Sequence, residues 1–171
     1  MKQLLMIPLT LVLFSCGAQK WENTTTLALQ QDSCPTDGTC TTELLKNKTL
    51  VVKRDDIGQT YYQLLDNEGS DVIRYQYTRT TDAELADAGY REELVFEIDR
   101  NSPELKLEGS GLQKTKMLFG RFCFCRDQTG YYPVNNGSLA VKPTGNNYTL
   151  KVGFTVPELP QIVNKIEMTT K

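Results

Sequence analysis

Four of the five cysteines, spaced C-x5-C at Cys34 and Cys40 and C-x-C at Cys123 and Cys125, carry the most reactive side chains in this 171-residue chain. Thiols at such spacings offer three kinds of chemistry: structural disulfides in an oxidising compartment, disulfide exchange with other thiols, and zinc ligation as thiolates. Structural zinc sites usually space their cysteines by two to four residues, which neither pair does. Redox dithiols sit at a helix N-terminus or beside basic groups. Here Arg121 and Arg126 flank the C-x-C pair, but the surrounding run is apolar and strand-forming. Four cysteines allow three connectivities. In an extended strand the Cα atoms of Cys123 and Cys125 lie roughly 6.6 to 7 Å apart, at the limit for a disulfide. The expected arrangement is therefore a staple, with both reaching across to Cys34 and Cys40. Closing loops of roughly 85 to 90 residues, it would contribute about 4 kcal/mol in the chain-entropy picture.

The rest of the chain offers less chemistry. Histidine is absent, which removes the commonest general base, the Ser-His and Cys-His pairs and the histidine zinc sites. No catalytic residue, metal site or cofactor is assigned, and the expectation is a protein that is not an enzyme. Asp66 to Asp71 has the oxygen density of a calcium loop, but its glycine is out of place and the closing glutamate is missing; a solvated turn is expected. Glu92, Glu93, Glu97 and Asp99 form an acidic row on one strand. Glycoside hydrolysis needs two carboxylates at a set separation, and a solvated strand face is the expected reading. Tyr61-Tyr62 and Tyr131-Tyr132 could stack on sugar rings, with alternation turning one ring of each pair inward. Tyr62 and Tyr132 are the weak candidates for ligand contact. With 19 basic and 21 acidic residues and a net charge of -2, the chain lacks the basic stripe of a nucleic-acid binder.

The element that must position the C-x-C pair is the run Lys116 to Asp127, apolar on both faces and so expected as a central, doubly covered strand. Around it the sequence reads as about ten short strands with turn signals between them. Val72 to Arg79, Tyr90 to Ile98 and Tyr148 to Val156 alternate most cleanly. Thr41–Leu45 and Thr49–Arg54 are expected to pair as a hairpin around Lys46-Asn47-Lys48, and Asn135-Asn136-Gly137 to turn another. The only plausible helix is one or two turns within Thr81 to Gly89. The fold class is all-β, an antiparallel β-sandwich, Ig-like or related.

At the N-terminus, Met1-Lys2 and the apolar stretch Leu4 to Phe14 read as a secretion signal, about a dozen residues and too short to span a bilayer. Leu13-Phe14-Ser15-Cys16 resembles the bacterial lipobox. That resemblance implies removal of residues 1–15 and acylation of Cys16, which anchors the chain firmly through its acyl chains. Residues 16–33 are then a polar tether and residues 34–171 a single domain.

The lipobox, Cys34-Pro35-Thr36-Asp37-Gly38-Thr39-Cys40, and the run Leu118 to Val134 with Asn135-Asn136-Gly137 behind it resemble small lipoproteins of Bacteroidetes, of the flavobacterial type. The resemblance implies a membrane-anchored envelope protein at the outer membrane, facing either side of it, and offers no activity to carry over. The expected function is a non-enzymatic binding or structural module with an envelope protein or a glycan as partner. The alternatives are a thiol-disulfide protein using Cys123 and Cys125, or a carbohydrate-binding module.

Overall fold

The computed structural model describes residues 24–26, 34–82, 84, 87–102, 104–145 and 147–169; the signal segment, Cys16 and Trp21 lie outside them. Among these residues are twelve strands: β1 (Thr24–Thr26), β2 (Gly38–Leu45), β3 (Lys48–Arg54), β4 (Thr60–Asp66), β5 (Ser70–Arg79), β6 (Tyr90–Asp99), β7 (Leu105–Glu108), β8 (Leu118–Cys123), β9 (Gly130–Pro133), β10 (Asn136–Thr144), β11 (Asn147–Thr155) and β12 (Lys165–Thr169). They form an eight-stranded sheet, β1-β2-β5-β6-β8-β9-β4-β3, and a four-stranded sheet, β12-β11-β10-β7, with every pairing antiparallel. The all-β sandwich expected from the turn spacing is what forms.

The period-two strands do what their pattern requires. Ile73, Tyr75 and Tyr77 of β5 and Leu94, Phe96 and Ile98 of β6 point to one face, where they meet Leu150, Val152 and Phe154 of β11 across the sandwich. The opposite face of the same strands is also covered. Val72, Val95 and Leu118 pack there with Leu45 and with Leu50 of β3. Since β3 ends the strand order, the large sheet must fold back so that its β9-β4-β3 leaf covers the outer side of β5, β6 and β8. This is why β8 is apolar on both faces: Phe119 enters the main core and Leu118 the second one.

A polar clasp holds the leaf down. Glu97 accepts hydrogen bonds from the Leu50 N–H at 2.8 Å, the Thr49 hydroxyl at 2.7 Å and Lys116 Nζ at 2.8 Å, while Lys116 also donates to the Leu50 carbonyl at 2.9 Å. An ion pair thus satisfies a strand edge that no further strand covers, where an unpaired peptide would cost about 1–3 kcal/mol. Burial alone would raise the Glu97 pKa, but Lys116, Thr49 and the Leu50 N–H outweigh it and hold the carboxyl below its usual range.

Several local expectations are corrected. β2 and β3 are consecutive but do not pair, because β1 and β5 already flank β2; Asn47, at φ 56°, turns the chain into the other leaf. Asn135-Asn136-Gly137 is not a hairpin turn: β9 pairs in the large sheet and β10 in the small one. Gly137 is instead the crossing point. Its φ is 140°, and a Cβ there would lie 2.1 Å from the Gly153 carbonyl oxygen, so glycine is required. The sharp turn falls instead after Thr144, which pairs with Asn147, between β10 and β11. Of the stretch expected to be helical, residues 83, 85 and 86 lie outside the described set, and the described ones around them form only turns and coil. The short helix is a 3-10 segment, Gly109–Thr115, which buries Leu112 and Thr115. Within the expected tether, Thr24–Thr26 adds an edge strand to β2.

Candidate functional site

Four loops gather at one end of the sandwich. The register places Gly38 of β2 opposite Arg79 of β5, Tyr90 of β6 opposite Cys123 of β8, and Thr60 of β4 opposite Tyr131 of β9. Residues 34–37, 55–59, 80–82, 84, 87–89 and 124–129 are therefore neighbours in this end region. Both disulfides are there. Cys34 bonds to Cys40 with a Cα separation of 5.8 Å, and Cys123 to Cys125 with one of 5.1 Å. The expected staple between the two segments does not form. β5 and β6 stand between β2 and β8, which at about 4.8 Å per strand puts the cysteines on the order of 14 Å apart, twice the reach of a disulfide. Cys123 can pair with Cys125 because β8 ends at Cys123: the chain bends at Phe124 and draws the two Cα atoms together.

The Cys34–Cys40 loop is rooted in the fold. The Tyr77 hydroxyl donates to the Asp37 carboxylate at 2.7 Å and Arg79 Nε to its other oxygen at 3.2 Å. The Thr80 N–H binds the Asp37 carbonyl at 2.9 Å, and the Tyr75 hydroxyl donates to Cys40 Sγ at 3.0 Å. The Tyr77 hydrogen bond, helped by Arg79, holds the Asp37 carboxyl below its usual range, and burial pushes the Tyr75 hydroxyl up to about 12. Gly38 sits so close to β5 that a Cβ would meet the Thr78 carbonyl oxygen and the Tyr77 ring, each at 2.4 Å.

The Cys123–Cys125 loop is presented rather than rooted. Phe124, inside the ring, is 85 % exposed. Arg126 and Asp127 form an exposed pair at 3.8 Å, worth under about 1 kcal/mol. The base of the loop is firm. The Arg121 guanidinium, mostly buried, donates to Gln128 at 2.9 Å and to the Tyr90 hydroxyl at 3.2 Å, and Thr129 Oγ1 donates to the Arg121 carbonyl. Phe122 stacks edge-on against Tyr131, with Arg91 4.3 Å above its ring. In the turn between β3 and β4, Asp55 accepts the N–H groups of Ile57 at 3.0 Å and Gln59 at 2.8 Å and leaves Ile57 83 % exposed. These two apolar side chains, on adjoining loops, were not singled out by sequence reasoning. The available signals were a phenylalanine caught between two cysteines and one isoleucine in the polar turn Asp55-Asp56-Ile57-Gly58.

The acidic row is not the solvated face expected: Asp99 is exposed and Glu97 half-buried, but the two adjoining glutamates are buried. Glu92 is 1 % exposed and Glu93 3 %, and they serve opposite faces of β6. Glu92 accepts the Ile162 and Val163 N–H groups, both at 2.7 Å, and the Tyr90 hydroxyl at 2.5 Å, tying the segment before β12 to the large sheet. Glu93 accepts the Tyr62 hydroxyl at 2.8 Å and the Tyr131 hydroxyl at 2.9 Å. Burial, reinforced by Glu93, pushes Tyr62 up to about 12 and raises Tyr131 further. Tyr62 is thus the inward ring of its pair, packed in the second core with Tyr131, and Tyr61 is the exposed one. Tyr132 packs against the main core. The calcium-like loop is a turn: Asn67 caps the Gly69 N–H, and buried Asp71 accepts the Asn47 N–H and the Tyr148 hydroxyl. Among the described residues no group of three Cys, Asp or Glu side chains could hold a metal ion, and no helix is long and apolar enough to cross a membrane.

No protein-family model, curated protein or solved structure matches this chain.

Proposed function

We propose that this protein is a lipid-anchored β-sandwich of the bacterial envelope that binds a protein partner, without catalysis, through the loop end that carries Phe124 and Ile57. The observation that carries the binding reading is the exposure of these two side chains on constrained loops. A rigid aromatic loses little conformational entropy when it enters a partner's pocket, and binding hot spots favour aromatic and arginine anchors. The charges in these two loops are of both signs, with Asp55, Asp56 and Asp127 beside Arg126. Mixed charge suits a protein surface better than an anionic lipid surface, which selects lysine and arginine. The anchored half of the reading rests on Leu13-Phe14-Ser15-Cys16. It is supported by the placement of β1, whose Thr24 pairs with Leu45 at the end of the sandwich opposite the four loops. A glycan reading loses its main motivation, because Tyr62 is turned into the second core and Tyr132 against the first.

The test uses the full-length protein in intact cells, with a photo-crosslinking residue at position 124 or, as a control, at Lys106 on the outer face of the small sheet. A discrete protein adduct at 124 that disappears with Ile57→Asp, and no such adduct at 106, is expected. Equal adducts at both positions, or none at 124, would overturn the binding reading. Replacing Cys16→Ser should move the protein from the membrane to the soluble fraction; unchanged membrane retention would overturn the anchor.

A further inference from the structure

We propose that the Cys123–Cys125 disulfide is an exchangeable bond whose reaction partners are protein dithiols, a stoichiometric exchange that goes beyond the binding reading and does not depend on it. Three observations carry it. The bond closes a ring with one intervening residue, which constrains the chain little beyond its own neighbourhood. That residue, Phe124, is 85 % exposed, so the ring stands at the surface where an attacking thiolate can approach. The ring also exists only because the chain leaves its strand. A continued β8 would hold the two Cα atoms roughly 6.6 to 7 Å apart, against 5.1 Å in the ring. The fold around Cys34–Cys40 provides the contrast, since Tyr75 donates to Cys40 and Asp37 is held by Tyr77, Arg79 and Thr80.

The exchange balances as two displacements. A thiolate of the dithiol attacks one ring sulfur, forming a mixed disulfide and releasing the other cysteine as a thiolate, which takes up a proton. The dithiol's second thiol, as its thiolate, then displaces the remaining cysteine. The dithiol leaves as a disulfide, and Cys123 and Cys125 are left as thiols, having gained two electrons and two protons. With the ring open, the backbone is free to continue the strand, and period-two alternation carries Phe124 to the face of β8 that Phe122 occupies.

Dithiothreitol is the probe. Purified protein is equilibrated in a series of reduced-to-oxidised dithiothreitol ratios, the free thiols are alkylated, and each cysteine is quantified by peptide mass mapping. Amide exchange of Phe96 and Phe119 is followed in parallel. Cys123–Cys125 is expected to reach half-reduction at a ratio at least tenfold lower than Cys34–Cys40, with the core amides still protected. Half-reduction of both pairs at the same ratio, or opening of Cys123–Cys125 only as the core amides lose protection, would overturn the proposal. Replacing Cys34 and Cys40 together by serine provides a second reading: the Cys123–Cys125 midpoint should stay within about threefold, since that ring closes within its own segment, and a larger shift counts against it.

Discussion

The two disulfide loops stand at the same end of the molecule and share almost nothing else. The Cys34–Cys40 loop is woven into β5 through Tyr75, Tyr77 and Arg79, and its residue after the turn, Gly38, is pressed against the Thr78 carbonyl. The Cys123–Cys125 loop has a firm base at Arg121 and Tyr90 but lifts its one aromatic side chain into solvent. A disulfide in the first position reinforces a contact the fold already makes. In the second it shapes a projection the fold does not otherwise use. On the proposed binding reading, that difference gives stability to one loop and recognition to the other.

The contrast can be broken or sharpened by mutation. The largest effect is expected from Gly38→Ala, which forces a methyl group against backbone and a buried ring; chemical denaturation should show a loss of about 3 kcal/mol. A loss below about 1 kcal/mol would mean that β2 and β5 can part at no cost. Removing the rooted disulfide with Cys34→Ser and Cys40→Ser should lower stability by about 2 kcal/mol, the chain-entropy value for so short a loop. The same pair of changes at Cys123 and Cys125 should cost less, about 1.5 kcal/mol or below. If the second pair costs more than the first, the ranking is reversed.

Acid should separate the loops as well. The Asp37 carboxyl is held below its usual range in the folded protein, so the stabilisation it contributes is present above the ordinary carboxylate pKa of about 4 and is lost as the pH falls through its folded value. Amide exchange at Thr80 should therefore quicken, relative to the core, on acidification below about pH 4, and the effect should vanish in Tyr77→Phe. The smallest change in stability belongs to Phe124→Ala, within about 0.5 kcal/mol of the parent, as for an exposed side chain without partners in the fold.

Much of the fold was legible because it is written in period two. β5, β6 and β11 each place their alternating apolar residues in the core, and β8 is doubly covered as its two apolar faces require. What could not be read was the order of the strands. Nothing in the local pattern says that β5 and β6 separate β2 from β8, and the expected staple between the two cysteine pairs failed on that point alone. The glutamates failed for a related reason. Glu92 and Glu93 look like surface residues until Ile162 and Val163 arrive on one side of the sheet and Tyr62 and Tyr131 on the other. Asn135-Asn136-Gly137 has the chemistry of a hairpin turn, yet the strands on either side belong to different sheets. At the candidate site the cysteines were visible and their pairing was not. Phe124 lies within the run Lys116 to Asp127 expected as one strand, whereas β8 stops at Cys123.

The measurement that bears most directly on this division of labour is a disulfide map of the protein digested without reduction. One peptide or linked pair should contain the bond Cys34–Cys40, and a separate one Cys123–Cys125, with no species joining the two segments. Any peptide that links Cys34 or Cys40 to Cys123 or Cys125 would contradict the account, because Phe124 would then no longer stand on a ring of its own.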